Sequence, residues 1–517
     1  MTQPVPAVPA PPPRFDVLDD RSLLGHPRGL GLLFIVEMWE RFSYYGMRAI
    51  LVLYLVNALG WSGQRAAGLY GTYTSLVYLT PLVGGYLADR LIGTRRSMVA
   101  GSVIIALGHF CLALPSMAAF YLGLAFIIIG TGFFKPASAT MVGQMYRPGD
   151  SRRDSGFTIY YMGVNLGALL GPVFCGPLAQ RVAWHAGFAL AGVGMLIGLI
   201  VYLVLRERYL PGIGLMPDGV LPAAALAGKA HTDARMLVHG TLGAVVGAAA
   251  AWGLGGLSLY PMLLGAAVGA AILITVLGTQ GDERRRVFAL FLAAFFVIFF
   301  WTAYEQAGSS MNLFADRHTD MGRVPSSVFQ SLNPLMILIL APAFAALWGL
   351  LGKRGREPTT ALKMVLGLFL LGVGFLFLVE GGRRADAGVL VSPWWLTLAY
   401  LFHTLGELCL SPVGLSYVSR IAPARFASLL MGAWYLANTI ANKLAGALAG
   451  LTPLPGEAPP ALEGGLVGYL QRLSQTNGGF FSIFVVTSFA GAVLMLIFVP
   501  LLNRLTRSVD GKRPQAA

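Results

Sequence analysis

The 517-residue chain carries little charge for its length. Asp, Glu, Lys and Arg together make up 12% of its residues, about half of their share in an average soluble protein. Apolar residues make up 56%, and long apolar runs recur from about residue 31 to residue 505. A soluble core cannot bury so many of these runs, whereas a lipid bilayer is the solvent they require. The composition therefore predicts an all-α integral membrane protein.

Cysteine is also scarce, with three residues in the whole chain: Cys111, Cys175 and Cys409. All three lie in apolar or helical runs without the spacing of metal ligands, so neither a disulfide framework nor a metal site is predicted. No cofactor is expected. The proline-rich N-terminus (residues 4–13) lacks a basic segment followed by an apolar run, which is not typical of a cleavable signal peptide. We predict a cytoplasmic tail there instead.

The basic residues are unevenly distributed, and the formal net charge is +14. Most of the Lys and Arg residues fall in termini and loops on one side of the predicted topology. Four lie inside predicted helices: Arg41, Arg48, Lys135 and Lys443. This asymmetry is the positive-inside pattern, which predicts that both termini are cytoplasmic. The charge therefore indicates orientation in the membrane and not nucleic-acid binding.

The apolar runs predict fourteen transmembrane helices in a six, two, six arrangement. We expect a cytoplasmic N-terminal tail at 1–30, a first six-helix bundle at 31–206, and a linker with an inserted helix pair at 207–284. A second six-helix bundle follows at 285–506, and a cytoplasmic C-terminal tail at 507–517. The two bundles are predicted to be pseudo-repeats that move around a central site, as in many transporters. The inserted pair has almost no intramembrane polar residue, so its predicted role is structural.

The first predicted helix is unusually polar for a membrane span. It carries charged and tyrosine side chains at spacings of three and four residues: Glu37, Glu40, Arg41, Tyr44, Tyr45 and Arg48. These spacings place most of them on one stripe about 16 Å long at 1.5 Å per residue. One alternative is an ordinary ion pair between Glu37 and Arg41 that only stabilises the helix. Because every charge in a membrane needs a partner or a wet cavity, the whole stripe favours a cavity.

Opposite charges occupy corresponding helices of the two predicted halves. Lys135 on the fourth helix corresponds to Glu407 on the tenth, and Arg48 on the first corresponds to Glu305 on the seventh. We predict that each pair closes one side of the cavity as a gate, Arg48 with Glu305 and Lys135 with Glu407. A purely structural role for either pair remains the alternative, since buried ion pairs can also be packing solutions.

The run from Glu37 to Tyr45 resembles the E-x-x-E-R-F-x-Y-Y signature of the proton-dependent oligopeptide transporters. Further segments are similar to motifs of that family on later helices: 133–136, 163–167, 301–306, 329–334 and 406–412. The segment 84–90 resembles the cytoplasmic loop motif of the major facilitator superfamily. The resemblance implies that superfamily's fold, two six-helix bundles, with the two additional central helices found in bacterial members.

The resemblance also implies a function, a proton-coupled symporter that imports di- and tripeptides by alternating access, and a monomer as the default state. Implied proton-coupling residues are Glu37, Glu40, Arg41 and Glu305. Implied peptide-binding residues are Arg41, Tyr44, Tyr45, Tyr78, Lys135, Asn165, Trp301, Asn333, Glu407, Ser411 and Trp434. In this scheme Arg41 and Lys135 receive the peptide carboxylate, and Glu407 and Asn333 receive the amino group. Glu37 is the predicted proton carrier, whose protonation frees Arg41 for the substrate.

Two departures from the family pattern bear on these expectations. Ala137 stands where Asn often follows Lys-Pro, which is expected to remove an amide from the pocket wall. The second helix has no histidine, so the proton must bind to a carboxylate.

Two other functions compete with peptide symport. A relative that carries nitrate or another small anion requires the cationic residues more than Glu407. An intramembrane enzyme is disfavoured, because His403 with Glu407 has no third metal ligand nearby and no Gly-x-Ser-x-Gly elbow is present. We therefore predict that the chain is not an enzyme. Opposed charges across a cavity likewise disfavour a channel.

Overall fold

The computed structural model describes residues 17–147, 149–215, 230–255, 259–423, 426–457 and 462–510. Within these ranges the chain is almost entirely helical and contains no β-strand. The parts of the predicted tails at 1–16 and 511–517, and residues 216–229 of the predicted linker, lie outside the described residues.

The first bundle consists of six long helices joined by short turns. They are α1 (Arg28–Leu53), α2 (Gly63–Leu87), α3 (Thr94–Leu112), α4 (Met117–Gln144), α5 (Arg152–Arg181) and α6 (Trp184–Tyr209). Pro27 precedes α1, and the Ser62 side chain caps α2 by accepting a hydrogen bond from the Arg65 amide. Both are common helix starts, because proline suits a position without a helical N–H donor and serine satisfies a free amide.

The inserted pair forms a helical hairpin made of α7 (Ala230–Gly255) and α8 (Leu259–Leu277). Its helices approach closely at glycines: a Cβ on Gly243 would lie 2.9 Å from the Ala270 Cα. Small residues at such contacts let membrane helices pack without a polar interface, which explains the Ala/Gly-rich composition of this segment.

The second bundle repeats the plan with one broken helix. Its elements are α9 (Gly281–Tyr304), α10 (Ser310–His318), α11 (Leu332–Lys353), α12 (Thr360–Asp386), α13 (Trp394–Ile421), α14 (Ala427–Ala449), the short α15 (Gly465–Leu473) and α16 (Asn477–Asp510). A 3₁₀ turn at Glu305–Gly308 joins α9 to α10, so these two helices form one interrupted span. The boundaries between the predicted domains stay predictions.

Eight spans within the described ranges are long and apolar enough to cross a membrane. The stripe helix α1 is not among them, which agrees with its many charged side chains. Its polar residues are nevertheless buried, Glu40 at 0% exposure and Arg41 at 4%. Packing against other helices therefore takes the place of lipid around α1.

The bundles meet along two seams, α2 with α14 and α5 with α11. We call the end at which α1 begins the proximal end and the opposite end the distal end. The described hydrogen bonds between the two bundles lie in the distal halves and at the middle of the bundles. Examples are Asn312 Nδ2 to the Ala49 carbonyl at 2.8 Å and Gln180 Nε2 to Ser326 Oγ at 2.9 Å. The structure is therefore in a state whose distal end is closed.

Candidate functional site

Arg41 is the centre of a buried ionic cluster on α1. Its guanidinium contacts Glu40 at two points, through Nε to Oε2 and through Nη2 to Oε1 at 2.6 Å. Glu37, one turn earlier, lies 3.4 Å from Arg41 Nε through its Oε1. Arg41 therefore has two carboxylate partners, and its two-point contact is with Glu40.

The second oxygen of Glu37 is held by hydroxyl groups from neighbouring helices. Tyr160 of α5 donates to Glu37 Oε2 at 2.5 Å, and Ser138 of α4 donates to the same atom at 3.0 Å. These hydrogen bonds fix the position of the Glu37 carboxylate. They also attach α1 to α4 and α5 at the site.

Lys135 is the other cation near this cluster. Its ammonium lies 4.6 Å from the ring centroid of Tyr78 on α2, a cation–π distance. Within the described chain it has no ion-pair partner at contact distance. The rings of Tyr44 and Tyr45 lie 5.1 Å apart, and the Arg41 guanidinium lies 5.2 Å from the Tyr44 ring centroid.

Arg48 and Glu305 join the two bundles at the distal side of the site. Arg48 Nη2 forms a buried ion pair with Glu305 Oε2, and Arg48 Nε donates to the Tyr70 hydroxyl at 2.5 Å. Glu305 begins the 3₁₀ turn that interrupts the α9–α10 span. The pair therefore connects α1 to the interruption between α9 and α10.

Glu407 on α13 is the anionic residue of the second bundle. Its Oε2 accepts hydrogen bonds from the Tyr304 hydroxyl at 2.6 Å and from Asn333 Nδ2 at 2.9 Å. No Lys or Arg lies within ion-pair distance of it in the part of the chain that is described. A buried carboxylate without a cation is unusual in a membrane protein, since an unpaired charge is costly there.

Lys135 and Glu407, the predicted second gate, do not form an ion pair in this structure. Each has other partners, Tyr78 for Lys135 and Tyr304 with Asn333 for Glu407. By the family resemblance this gate closes the side opposite the Arg48–Glu305 pair, so it is expected to be open in a state closed at its distal end. The pairing therefore stays a prediction for the opposite state.

Three further predicted peptide-binding residues, Asn165, Trp301 and Trp434, have described positions. Asn165 is buried and donates to the carbonyl of Tyr161 on its own helix at 3.0 Å. Trp301 is half-buried and packs edge-on against Tyr304, whereas Trp434 is buried against Gly414. The side chain of Ser411 lies outside the described residues.

Ala137, whose small side chain is expected to remove an amide from the pocket wall, lies in the packed interior of the first bundle. It is fully buried in an apolar cluster that includes Leu33 and Met141. The preceding Pro136 packs instead at Gly85 of α2. The side chain at position 137 therefore acts on packing within the first bundle.

Sequence reasoning missed four residues that hold the charged side chains in place: Ser138, Tyr160, Tyr70 and Tyr304. Each lies on an apolar helix, where a buried hydroxyl normally has a hydrogen-bond partner. That rule was the available signal. It does not identify the partner, because the partner is on another helix in every case.

Two helical bundles that close at one end around buried, opposite charges define a membrane transporter of the alternating-access class. A profile of the POT family matches residues 95–461, and the chain belongs to this family. The match confirms the predicted family, and with it the multi-pass membrane location and the transporter fold of the major facilitator type.

Named relatives and solved structures cover most of the chain. An uncharacterized transporter, YclF, of Bacillus subtilis is 40% identical over 444 residues, 83% of this chain and 89% of that protein. A di-/tripeptide transporter of Lactococcus lactis subsp. cremoris is 36% identical over 449 residues, 82% and 89% of the two chains. A crystal structure of a mutant peptide transporter POT in complex with alafosfalin superposes with a TM-score of 0.77 at 35% identity, covering 95% of this chain and 98% of that one.

Proposed function

We propose that this protein is a proton-coupled symporter that imports di- and tripeptides by alternating access. Similar proteins bear the names of di- and tripeptide transporters, which supports the choice of cargo. The observation that carries the proposal is Glu407, a buried carboxylate without a cationic side chain at contact distance among the described residues. The ammonium group of a peptide supplies the missing cation.

A zwitterionic peptide needs a cationic group as well, and the first bundle supplies it. Arg41 and Lys135 are the cations: Arg41 contacts Glu40 at two points, and Lys135 lies over the Tyr78 ring. The carboxylate of the peptide is recognised by guanidinium and ammonium donors of this kind. Aromatic side chains between the poles, such as Tyr45, suit varied peptide side chains better than a fixed polar pattern.

The charges of the cluster also explain coupling to protons. Arg41 and Lys135 carry two positive charges, and Glu37 and Glu40 carry two negative charges, so the ionised cluster is neutral. Protonation of one carboxylate leaves one net positive charge, which the peptide carboxylate then balances. Because Arg41 makes its two-point contact with Glu40, we propose Glu40 as the carboxyl whose protonation releases Arg41, in place of Glu37.

The proximal end is proposed to face the cytoplasm, with both termini there. Support comes from the basic residues of the proximal loops, such as Arg95, Arg147 and Arg152, and from the positive-inside rule. We further propose that the protein works as a monomer in the bacterial inner membrane.

The test is uptake of dialanine into proteoliposomes with an imposed pH gradient and voltage. We expect saturable, uphill uptake that other dipeptides inhibit and that nitrate does not. N-acetyl-dialanine, which lacks the ammonium group, is expected to compete poorly. Equal transport of nitrate would favour the competing anion function, and pH-independent uptake would remove the proton from the mechanism.

A further inference from the structure

The orientation of the Glu407 carboxylate depends on Tyr304 of α9, which has no role in the proposed function above. The Tyr304 hydroxyl and Asn333 Nδ2 both donate to Oε2 of Glu407, at 2.6 and 2.9 Å. Within the described chain, Oε1 accepts no hydrogen bond from a protein donor. Oε2 is thus occupied, whereas no described side chain donates to Oε1.

The groups that hold Oε2 are themselves fixed. The Tyr304 ring stacks on Phe300, with centroids 5.7 Å apart and an interplanar angle of 20°, and packs edge-on against Trp301. The two amide hydrogens of Asn333 go to Glu407 and to Thr404 Oγ1, the latter at 3.0 Å. Neither donor can turn away without breaking a second contact, so the carboxylate has one preferred direction.

We propose that Tyr304 is a positioning residue that directs the free Oε1 of Glu407 toward the amino group of the substrate. This inference rests on the proposed function, because it takes a peptide ammonium as the ligand of Glu407. Tyr304 itself touches the carboxylate and not the substrate in this scheme. Its loss therefore weakens recognition of the amino group and leaves recognition of the rest of the peptide intact.

The test compares ligands with and without an amino group in Tyr304→Phe. We expect KM for dialanine to rise about fivefold with kcat unchanged, since one hydrogen bond is lost. Inhibition by N-acetyl-dialanine is expected to stay at its wild-type strength. Asn333→Ala, which removes the other donor to Oε2, is expected to give the same selective change.

Tyr202→Phe is the matched control, because among the described residues the hydrogen-bond partner of that buried hydroxyl is a sulfur, Met141 Sδ at 3.7 Å. An unchanged KM in Tyr304→Phe, or an equal loss for both ligands, would overturn the positioning role. Failure of the proposed function is distinguishable, since wild-type protein would then not discriminate between dialanine and its N-acetyl form.

A separate observation concerns the inserted helix pair, which the sequence predicted to be structural. Tyr260, at the start of α8, lies with its hydroxyl on Ser75 Oγ of α2, and Ser75 Oγ donates to the Thr439 carbonyl of α14 at 2.6 Å. Serine has one hydroxyl hydrogen, so Tyr260 is the donor to Ser75. This chain of hydrogen bonds joins the inserted pair, the first bundle and the second bundle.

A second polar link crosses the same seam next to Tyr260. Lys443 Nζ of α14 donates to Thr72 Oγ1 of α2 at 2.7 Å, and it lies 5.4 Å from the Tyr260 ring centroid. Over the described ranges, Lys443 has no carboxylate partner. The ring and the hydroxyl of Tyr260 thus support both links.

The seam is tight at this level. A Cβ on Gly71 would lie 2.6 Å from the Gly446 Cα, so the two backbones are nearly in contact. Thr72 lies in the distal half of α2 and Lys443 in the distal half of α14. Separation of the distal ends therefore has to stretch or break the Lys443–Thr72 link.

We infer that the inserted helix pair stabilises the distally closed state through Tyr260. The pair is then part of the conformational equilibrium of the transporter, and not only an addition to its fold. This inference is independent of the transported substrate and of proton coupling.

The test measures the distance between spin labels at Ala58 and Ala387, two exposed distal sites on different bundles. The three native cysteines are replaced first, and conditions are chosen under which the wild-type distribution shows both a short and a long population. Tyr260→Phe is expected to lower the ratio of short to long distances about fivefold, as for the loss of one hydrogen bond. Ser75→Ala added to Tyr260→Phe is expected to lower the ratio further, because it also removes the Ser75–Thr439 hydrogen bond across the seam.

Tyr121→Phe is the control, since Tyr121 is an exposed tyrosine of α4 away from the seam. An unchanged distance distribution in Tyr260→Phe would overturn the inference. An equal shift in Tyr121→Phe would overturn it as well, because the effect would then not depend on the seam.

Discussion

Arg41 and Glu40 are adjacent in the chain and form the two-point ion pair at the site. Neighbouring residues on a helix do not usually face each other, so the spacing of the motif pointed to Glu37 as the partner. Glu37 is within 3.4 Å of Arg41, but its other oxygen is held by Tyr160 and Ser138. The two carboxylates therefore have different tasks in the proposed cycle, Glu40 as the releasable partner and Glu37 as an anchored charge.

Substitution of Glu40 tests this division. Glu40→Gln imitates the protonated residue and leaves Arg41 free for the peptide carboxylate. One proton crossing about 100 mV, with a gradient of one pH unit, supplies about 3.7 kcal/mol, enough for several hundredfold accumulation of a neutral dipeptide. We expect Glu40→Gln to lose this accumulation and to retain exchange of internal for external dialanine, both measured in proteoliposomes. Wild-type accumulation by Glu40→Gln would contradict the assignment.

Close helix contacts position the cluster at the scale of elements. Gly167 of α5 faces α1 so closely that a Cβ on it would lie 2.8 Å from the Arg41 Cβ and would also contact the Met38 carbonyl. Glycine is therefore required at position 167, because a larger side chain would clash with α1. It allows α5 to bring Tyr160 to Glu37.

Gly167→Ala is expected to destabilise the first bundle. Overpacking of a tight contact costs about 1–3 kcal/mol, and the displaced α5 also moves Tyr160. We predict a lower Tm in detergent and reduced dialanine uptake. Gly68→Ala is the control on α2, since a Cβ there meets no atom within 4 Å; its Tm is expected to equal or exceed that of the wild type.

The segment before α1 packs over the loop between α4 and α5 at the proximal end. His26 Nδ1 lies 2.9 Å from the Tyr146 hydroxyl, and Arg152 Nη1 donates to the Gly25 carbonyl at 3.1 Å. Burial, followed by the nearby Arg152 guanidinium, lowers the pKa of His26. Hydrogen bonds from Arg152 lower the pKa of Asp150 to about 2.

These pKa shifts predict how pH affects the segment. Because its pKa in the fold is below the ordinary value of 6.5, His26 stabilises the contact when neutral, and this contribution is lost as pH falls below that value. Asp150 stays ionised until about pH 2, so the Arg152 contacts persist. We expect faster hydrogen exchange of residues 22–28 at pH 5 than at pH 7, after correction for intrinsic rates. The difference should disappear in His26→Gln and remain in Asp150→Asn; its persistence in His26→Gln would contradict the role of His26.

At the scale of the whole molecule, transport requires the closed distal end to open. Gly176 at the end of α5 lies against Ser327 in the 3₁₀ turn at Ser326–Ser331 before α11, and a Cβ on Gly176 would lie 3.1 Å from the Ser327 Cβ. This contact joins the first bundle to the second. It belongs to the set that must separate in the opposite state.

A disulfide across this contact is expected to stop the cycle. The Gly176→Cys and Ser327→Cys pair, in protein without its native cysteines, has Cβ atoms close enough for a bond after a small adjustment. Oxidation should abolish dialanine uptake, and a reductant should restore it. Each single variant is expected to be insensitive to the oxidant. Full transport by the oxidised pair would show that the distal ends need not separate there.

The family and the main charged residues were predictable from the sequence. The apolar runs define membrane helices because each span is a local property of about twenty residues, and the stripe from Glu37 to Arg48 follows from helical periodicity. The partners of these residues were predictable only in part. The tertiary structure assigned Arg41 to Glu40, Glu407 to Tyr304, and Ala137 to the interior.

The sequence by itself thus determined that lipid surrounds the apolar spans, that the chain is helical and that α1 has one polar face. All three properties depend on residues close together in the chain. Only the tertiary structure decided which distant hydroxyl meets which carboxylate, and that Tyr260 reaches the seam at Ser75. These contacts depend on how each helix is rotated and how deeply it packs against its neighbours. That arrangement results from side-chain and glycine contacts between helices, which no single helix encodes.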